Sequence, residues 1–367
     1  MNNKNNSAKT AENKSNESTL SQALIKAYDS LSMEITQRKH EAFKELITEY
    51  DIEWSKLLEY THYDLSSLVN AISSSSPEVF KEYIGWAATL FESNSIPLDL
   101  LKKNITIIEE VIRSLLPADH QELLSKYLKA GISEIVTHSK HQPTYIDTNS
   151  PHGCLADKYL DALLSANRDK ACQLILDSFR NGVSIRDIYL NVLQPVQYEI
   201  GRLWHLKKIS VAQEHYASSV TQLVMTQLYP SITLKAQEKS KGIVVAVCVS
   251  GELHEIGIRM VADFFEMDGW TTHFLGANMP MHDLVETLLM HKPDLLAISA
   301  SMSSNLVKAK RLIKEVHSSH THPIKVMVGG YVFNSLPDLW KQVGADYFAE
   351  NADAALRIAN HLLQQKE

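Results

Sequence analysis

One histidine stands where a loop turns directly into a helix, and its position suggests chemistry. His254 lies in the stretch SGELHEIGIRMVADFF, Ser250 to Phe265, whose small and polar beginning passes without interruption into a helical pattern. A histidine at such a junction can direct one ring nitrogen outward as a metal ligand while a carboxylate orients the other nitrogen. Glu252, two residues earlier, is the candidate for that carboxylate.

Two simpler interpretations of His254 have to be weighed. A single histidine near a helix start is often just a polar surface residue. A zinc site would need three or four ligands, and no other His or Cys stands nearby with suitable spacing. The feature that sets the stretch apart is the spacing E-x-H-x-x-G, which runs from Glu252 to Gly257.

The surroundings of His254 predict an α/β domain. From residue 240 to 367, short apolar runs alternate with helical segments; the runs are GIVVAVCVS, TTHFLG, DLLAISAS, IKVMVGG and ADYFAE. This alternation predicts a doubly wound, Rossmann-like (flavodoxin-like) parallel sheet covered by helices on both faces. In such sheets, ligands bind beyond the carboxyl ends of the strands.

Three loops at that edge carry unusual residues. Glu252 to Gly257 follows the first strand, Ser299 and Ser301 follow the third, and the pair Gly329 and Gly330 follows the fourth. The dinucleotide fingerprint G-x-G-x-x-G and the P-loop are both absent, so a ligand other than NAD or ATP is expected.

Composition limits the class of protein. The 367 residues are 44% hydrophobic and 22% charged, which predicts a globular protein of two or three domains. The net charge of -7, without a basic arm, argues against a nucleic-acid surface. The cysteines Cys154, Cys172 and Cys248 are far apart and form no CxxC pair, which favours a reducing cytoplasm. No signal or membrane-spanning stretch stands out, so no membrane association is expected.

Two helical sections precede the sheet domain. The first is rich in Leu, Ile, Glu and Lys, and Ser76, Pro77, Pro97 and Pro117 stand where helices should begin. The second should form a small bundle of four helices, one of which starts at a capping box of Ser210 and Gln213. The predicted division is a disordered tail at 1–18, a helical domain at 19–140, a linker at 141–154, a four-helix bundle at 155–235 and the sheet domain at 240–367.

The motif around His254 resembles the D-x-H-x-x-G cobalamin signature of methionine synthases, cobalamin-dependent mutases and cobalamin photoreceptors, with Glu252 in place of Asp. Ser299 and the glycine pair match the downstream elements, whereas Ser301 replaces the usual Leu. The resemblance implies that His254 is the lower axial ligand of cobalt. It also implies that Gly329 and Gly330 make room for the nucleotide tail of the cofactor.

A second motif lies in the bundle. Trp204, nine intervening residues and then Glu214-His215 resemble the cap of adenosylcobalamin-dependent light-sensing regulators, and this resemblance extends over residues of about 155 to 366. It implies that Trp204 packs over the adenosyl group and that Glu214 and His215 line the upper face of the cofactor. His205 would be the candidate cobalt ligand after light has expelled the adenosyl group.

The N-terminal helical domain lacks the MerR-like DNA-binding head that such regulators usually carry. Its stretch VFKEYIGWAATLFESNSIPLDLL is similar to the helical domain of photocobilins, which implies a bilin such as biliverdin as a second chromophore. Aromatic and polar candidates for its site are Trp54, Tyr60, His62, Tyr63, Tyr83 and Trp86. The alternative is that these residues belong to a dimerisation or output domain. A thioether-linked chromophore is not expected, because no cysteine precedes Cys154.

The hypothesis is a cytoplasmic light sensor, not an enzyme, that binds adenosylcobalamin between bundle and sheet. The enzyme-class alternative is a cobalamin carrier protein for methyl transfer or a mutase subunit, and a third hypothesis is a bilin or haem sensor with a decayed cobalamin site. The sequence names no downstream protein partner. It leaves the oligomeric state open, although helical bundles that respond to a ligand often form homodimers.

Overall fold

The computed structural model describes residues 16–138, 143–233, 240–319, 323–336 and 338–364. It divides into two compact units, residues 1–140 and residues 141–367. Most of the tail expected at 1–18 lies outside the described residues, but residues 16–18 already belong to a helix. Among the described helices, none has both the length and the apolar character that a membrane crossing needs.

The N-terminal unit is helical over its described residues. Pro77 is the first helical residue after Ser76, and Pro97 and Pro117 each directly precede a helix, as predicted. The hydroxyl of Ser76 donates to the carboxylate of Glu78 at 3.0 Å and does not cap the backbone. The helices are α1 (residues 16–26), α2 (Tyr28–Ala42), α3 (Lys44–Glu49), α4 (Trp54–Ser73), α5 (Pro77–Ser93), α6 (Leu98–Leu115) and α7 (Ala118–Thr137).

Close packing of α5 against α7 forms the centre of this unit. A Cβ on Gly131 of α7 would lie 2.8 Å from the ring of Phe80, so a larger residue there would push the helices apart. Phe80 and Ile84 of α5 are fully buried. The amphipathic pattern that predicted these helices therefore corresponds to one shared apolar core.

The second unit begins with the helical bundle, which we call the cap. Its first helix starts at Gly153, two residues earlier than the predicted boundary, and Ser210 and Gln213 form the predicted capping box. The third helix of the cap, residues 185–205, contains a π-helical turn between two α-helical parts. The elements are α8 (Gly153–Leu164), α9 (Arg168–Arg180), α10 (Ile185–Ile188), the π turn (Tyr189–Leu193), α11 (Gln194–His205), α12 (Val211–Leu228) and α13 (Pro230–Thr233).

The rest of the unit is a five-stranded parallel sheet with strand order β2-β1-β3-β4-β5, which confirms the predicted fold class. β1 and β3 are buried along almost their whole length, as their apolar runs predict. The strands are β1 (Ile243–Cys248), β2 (Thr271–Gly276), β3 (Leu295–Ser299), β4 (Lys325–Gly329) and β5 (Tyr347–Phe348). The helices between and after them are α14 (Ile256–Met267), α15 (Met281–His291), α16 (Leu306–Ser319), α17 (Tyr331–Ser335), α18 (Leu339–Val343) and α19 (Ala352–Gln364).

Helix α14 joins the cap to the sheet. Its residues Met260 and Phe264 belong to the same apolar core as the cap helices. The hydroxyl of Tyr189 in the π turn donates to the buried carboxylate of Asp263 at 2.7 Å, and Arg259 donates to the other oxygen at 3.1 Å. Because α14 begins two residues after His254, the base of the cap is fixed to the element that follows the candidate ligand.

Glu82 in α5 provides a test of the N-terminal unit. Burial raises the pKa of its carboxyl group to about 7, and this group has no hydrogen-bond or ion-pair partner among the described residues. The folded state therefore holds the proton more tightly than the unfolded state, and stability should fall as pH rises from about 4.5 to 7. Glu82→Gln should remove this loss, which is on the order of 3 kcal/mol above pH 7.

The measurement is the free energy of unfolding in urea of the parent and of Glu82→Gln, at pH 5 and at pH 8, taken from the transition in which the N-terminal helices unfold. The exposed change Glu286→Gln in α15 is the matched control. An equal gain in stability at both pH values would contradict the assignment of the shift to Glu82.

Candidate functional site

The side chains of His254 and Glu252 meet at the carboxyl end of β1. Oε1 of Glu252 accepts a hydrogen bond from the backbone N–H of His254 at 3.0 Å and lies 2.5 Å from its Nδ1. The Glu252 side chain is 1% exposed, whereas the imidazole is 63% exposed. Among the described residues, Nε2 of His254 has no hydrogen-bond partner. The ring is thus oriented from beneath and presents Nε2 outward, as an axial metal ligand requires.

The second oxygen of Glu252 ties the β1 loop to the β3 loop. Oε2 accepts hydrogen bonds from the backbone N–H groups of Ser301 at 2.7 Å and Met302 at 3.2 Å, and from Nδ2 of Asn305 at 3.1 Å. The sequence analysis missed Met302 and Asn305. A buried carboxylate with donors from two loops fixes both loops relative to one another.

The charges of this pair stabilise each other. Burial alone would raise the pKa of Glu252, but the hydrogen bond and charge of His254 and the amides of Ser301 and His254 lower it to about 2. The hydrogen bond to Glu252 raises the pKa of His254 against the effect of burial, and the negative charges of Glu252 and Glu214 raise it further. The carboxylate is therefore ionised whenever the site is folded at neutral pH.

Glu214, a residue of the cap, is one of the charged groups that raise the pKa of His254. Glu214 lies in the first turn of α12, where its carboxylate contacts Nδ1 of His215 at 2.6 Å and accepts from Ser218 at 2.8 Å. Two helical turns further along α12, Gln222 donates to Glu255 in the β1 loop at 3.1 Å. This side of α12 consequently faces the carboxyl edge of the sheet.

Trp204 and His205 lie at the C-terminal end of α11, just before the turn that leads to α12. The indole of Trp204 is 38% exposed, and His205 is half-buried. The imidazole of His215 is largely exposed beside its Glu214 partner. Trp204, Glu214 and His215 are therefore presented on the two sides of one helix-to-helix turn, as their spacing in sequence suggested.

Exposed apolar side chains surround the histidine. Leu253 is 71% exposed and Met302 is 41% exposed, and both lie in the loops that Glu252 connects. Large apolar side chains held on rigid loops in contact with water are typical of a binding site. Together with the indole of Trp204, they suit a broad ligand with apolar faces. Sequence reasoning missed Leu253 and Met302, although an apolar residue in an otherwise polar loop is a usable signal.

The glycine pair has a packing role in this structure. A Cβ on Gly330, whose φ is 102°, would lie 2.3 Å from the carbonyl oxygen of Ala300, and one on Gly329 would lie 2.9 Å from that of Ala349. The pair lets neighbouring strand ends approach closely. The expected contact with a nucleotide tail stays a prediction. The buried Ser299 pairs with Gly329 across β3 and β4. A Cβ on Gly257 would meet no atom within 4 Å.

One of the aromatic residues proposed for a bilin, Tyr83, contacts a buried ion pair. Nζ of Lys39 lies 2.6 Å from Asp64, which also accepts from the Tyr83 hydroxyl at 2.8 Å and from Asn104 at 3.0 Å. Tyr83 stacks on Trp86 at 6.1 Å, and His62 stacks on Tyr28 at 5.6 Å. The sequence analysis missed this polar centre.

The remaining candidates are more exposed. Tyr60 and Tyr63 lie on the outer face of α4, and Tyr63 donates to Glu59. Trp54 packs against His40 at the start of α4, about 13 Å of helix rise from Tyr63. The six candidates therefore do not all share one site.

Comparison with known protein families identifies both parts of the second unit. Residues 242–359 match a family described as B12 binding domain, and residues 155–229 match a second family with the same description. Both matches coincide with the sheet domain and the cap. The chain is therefore a cobalamin-binding protein, in which a B12-binding sheet domain follows a B12-binding helical cap.

Two named relatives and one solved structure are similar to more than half of this chain. Dimethylamine corrinoid protein 3 of Methanosarcina acetivorans is 26% identical over 211 residues, which cover 57% of this chain and 97% of that protein. Monomethylamine corrinoid protein 1 of the same organism is 26% identical over 214 residues, with the same coverage. The solved monomethylamine corrinoid protein of Methanosarcina barkeri is 25% identical, with a TM-score of 0.51 over 57% of this chain and 99% of that chain.

These relatives differ from the first hypothesis. The two motifs predicted a cobalamin photoreceptor, whereas these relatives are methylamine corrinoid proteins. The comparisons support a corrinoid cofactor. They favour the alternative of a corrinoid carrier over a photoreceptor, and they support neither the adenosyl form nor a bilin.

The residues at the sheet edge fit a cobalamin. An outward imidazole nitrogen, a carboxylate that orients the ring and an apolar border are the groups that a cobalt macrocycle would contact. His254 would hold the metal, and the exposed side chains of Leu253 and Met302 would border the macrocycle.

Glu252→Ala tests the orienting carboxylate. The change should lower the affinity for hydroxocobalamin by about 10–100-fold, because the imidazole loses its fixed orientation and the β3 loop loses three hydrogen bonds. Absorbance titration measures the affinity. Glu252→Gln, which keeps the size of the side chain, should lose less, and Glu286→Gln on the exposed surface is the control. Equal affinity in the parent and Glu252→Ala would contradict this role.

Proposed function

We propose that this chain is a light sensor that holds adenosylcobalamin between the cap and the carboxyl edge of the sheet. The observation that carries the proposal is the exposed Trp204 at the end of α11, which is followed nine residues later by the Glu214–His215 pair at the start of α12, the helix that contacts the β1 loop through Gln222. When bound, adenosylcobalamin supplies a cobalt–carbon bond that visible light can break. The residues of the chain hold the cofactor and respond to the loss of its upper group.

Each residue has a defined task in this proposal. His254 would hold the cobalt through Nε2, and Glu252 keeps the imidazole ring in place. Trp204 covers the upper group, and Glu214 with His215 stands beside it. Trp204 would sense this group through its packing, and His205 would be the candidate cobalt ligand in its absence. Burial of an indole is worth about a few kcal/mol, enough to shift a balanced arrangement of cap and sheet.

The N-terminal unit belongs to the proposal as a second sensing module. A bilin such as biliverdin would find aromatic side chains in His62, Tyr63, Tyr83 and Trp86. Asp64 already accepts three hydrogen bonds, so it is a structural centre of the unit and a poor direct partner for the ligand. The alternative role is a dimerisation or output domain. A cytoplasmic location, a homodimer and a downstream protein partner are parts of the same proposal.

The second candidate function is a corrinoid carrier protein for methyl transfer, and a mutase subunit is related to it. The similarity to the methylamine corrinoid proteins favours the carrier. A carrier has to expose the upper face of its cofactor to a catalytic partner. The two functions therefore differ in whether the cap responds to the upper ligand or leaves it accessible to a catalytic partner.

Irradiation separates the two functions. The full chain saturated with adenosylcobalamin should show, after green light, a new absorption spectrum that stays with the protein and a change in its size on gel filtration. Trp204→Ala should abolish the change in size, because the cap no longer senses the upper group. Leu223→Ala is the matched control, since Leu223 is an apolar cap residue that is also 38% exposed.

The outcomes are distinct. Photolysis without any change in size or assembly would contradict the sensor, and ready exchange of methylcobalamin with a methyltransferase would support the carrier. A parallel sample with biliverdin tests the N-terminal unit, where an absorption band retained after gel filtration is expected. Loss of this band in Trp86→Ala, with cobalamin binding intact, would assign it to that unit.

A further inference from the structure

A short extended segment at the start of the second unit is fastened to the cap. We call residues 143–147 the strap. The backbone N–H of Tyr145 donates to Oε2 of Glu199 in α11 at 3.1 Å. Glu199 is buried and is held by two hydrogen bonds from Arg202, at 2.8 and 2.5 Å. Ile146 is buried in the apolar core of the cap. The strap is thus part of the folded cap, although no helix contains it.

The strap also contacts the edge of the sheet. The ring of Tyr145 lies 5.4 Å from that of Tyr198 in α11, which meets the ring of Tyr331 edge-on at 6.3 Å. Burial together with the neighbouring Tyr331 hydroxyl raises the pKa of Tyr145 to about 12. Tyr331 directly follows the glycine pair at the end of β4. Three tyrosines therefore connect the strap, the cap and the sheet edge at which the cofactor binds.

Helix α11, which contacts the strap, is anchored at its start and carries Trp204 near its end. At its base, the π turn is anchored by the hydrogen bond from Tyr189 to Asp263. The π turn and Pro195, one residue into α11, interrupt the regular helix and are typical positions of a bend. Trp204 lies at the other end. Glu199 is five residues before Trp204, about 7.5 Å along the helix axis.

We propose that the strap responds to the position of α11: it stays bound to Glu199 in one position of the helix and is released in another. This inference rests on the proposed function, in which Trp204 responds to the upper ligand. The backbone N–H of Tyr145, at 3.1 Å, and the hydroxyl of Thr144 both donate to Glu199, so both bonds depend on the position of α11, and a shift of about 0.5 Å takes the Tyr145 bond beyond the hydrogen-bond range. The freed Glu199 carboxylate still has Arg202, so release of the strap leaves no buried charge without a partner.

Hydrogen exchange measured by mass spectrometry tests the strap in the full chain. In the dark with adenosylcobalamin, the Tyr145 amide should be protected, and green light should accelerate its exchange at least tenfold. Peptides from β3 serve as the internal reference, because that strand is buried in the centre of the sheet. Glu199→Ala should exchange rapidly in the dark and show no further response to light.

Tyr331→Phe provides a milder variant in case Glu199→Ala does not fold. Loss of the hydroxyl beside Tyr145 should reduce the protection in the dark several-fold and leave the response to light in place. Tyr216→Phe is the matched control, since its hydroxyl donates to Ala166 on another part of the cap. If the Tyr145 amide is as well protected in Tyr331→Phe as in the parent, the contact with Tyr331 does not help to hold the strap.

The result separates this inference from the proposed function. A spectral response to light without any change in exchange at residues 144–147 would overturn the strap and leave the sensor intact. Absence of the spectral response would overturn the sensor. In that case the strap is tested by adding hydroxocobalamin without irradiation. Identical exchange of the Tyr145 amide with and without hydroxocobalamin would overturn the proposal.

Discussion

The structure of the site depends on one buried carboxylate. Glu252 is 1% exposed and accepts hydrogen bonds from the β1 loop through one oxygen and from the β3 loop through the other. This arrangement fixes the His254 ring, lowers the pKa of the carboxyl group to about 2 and spaces the apolar Leu253 and Met302 around the imidazole. Because a buried charge with a lost partner is costly, the two loops and the histidine are bound to one geometry.

The cap shares its base with the same region. Helix α14 starts just after His254, and its Asp263 holds the π turn of the cap helix through Tyr189. The start of α12 is in turn close enough to the sheet for Glu214 to affect His254. A cobalamin module of this kind suits both a carrier and a sensor. Under the proposed function, the difference lies in the cap residues that would face the upper side of the cofactor, among them Trp204.

Much of this organisation was readable in the sequence. Apolar runs separated by helical segments predicted the parallel sheet, and the proline and serine positions predicted helix starts at Pro77, Pro97, Pro117 and Ser210. The spacing of Glu252 and His254 predicted their contact because both lie in one short loop. Asn305, Met302 and the Lys39–Asp64 ion pair were missed, since their partners are 25 or more residues away along the chain.

The sequence by itself determined the local features: which residues form helices and strands, where helices begin, and which residue types occupy the end of β1. These features depend on backbone geometry and apolar periodicity over a few neighbouring residues. Only the tertiary structure decided that Glu252 joins two loops, that Gly330 accommodates the carbonyl of Ala300, and that Tyr145 is held by Glu199. Such contacts depend on strand order and helix packing, which bring together groups whose distance in the sequence carries no signal.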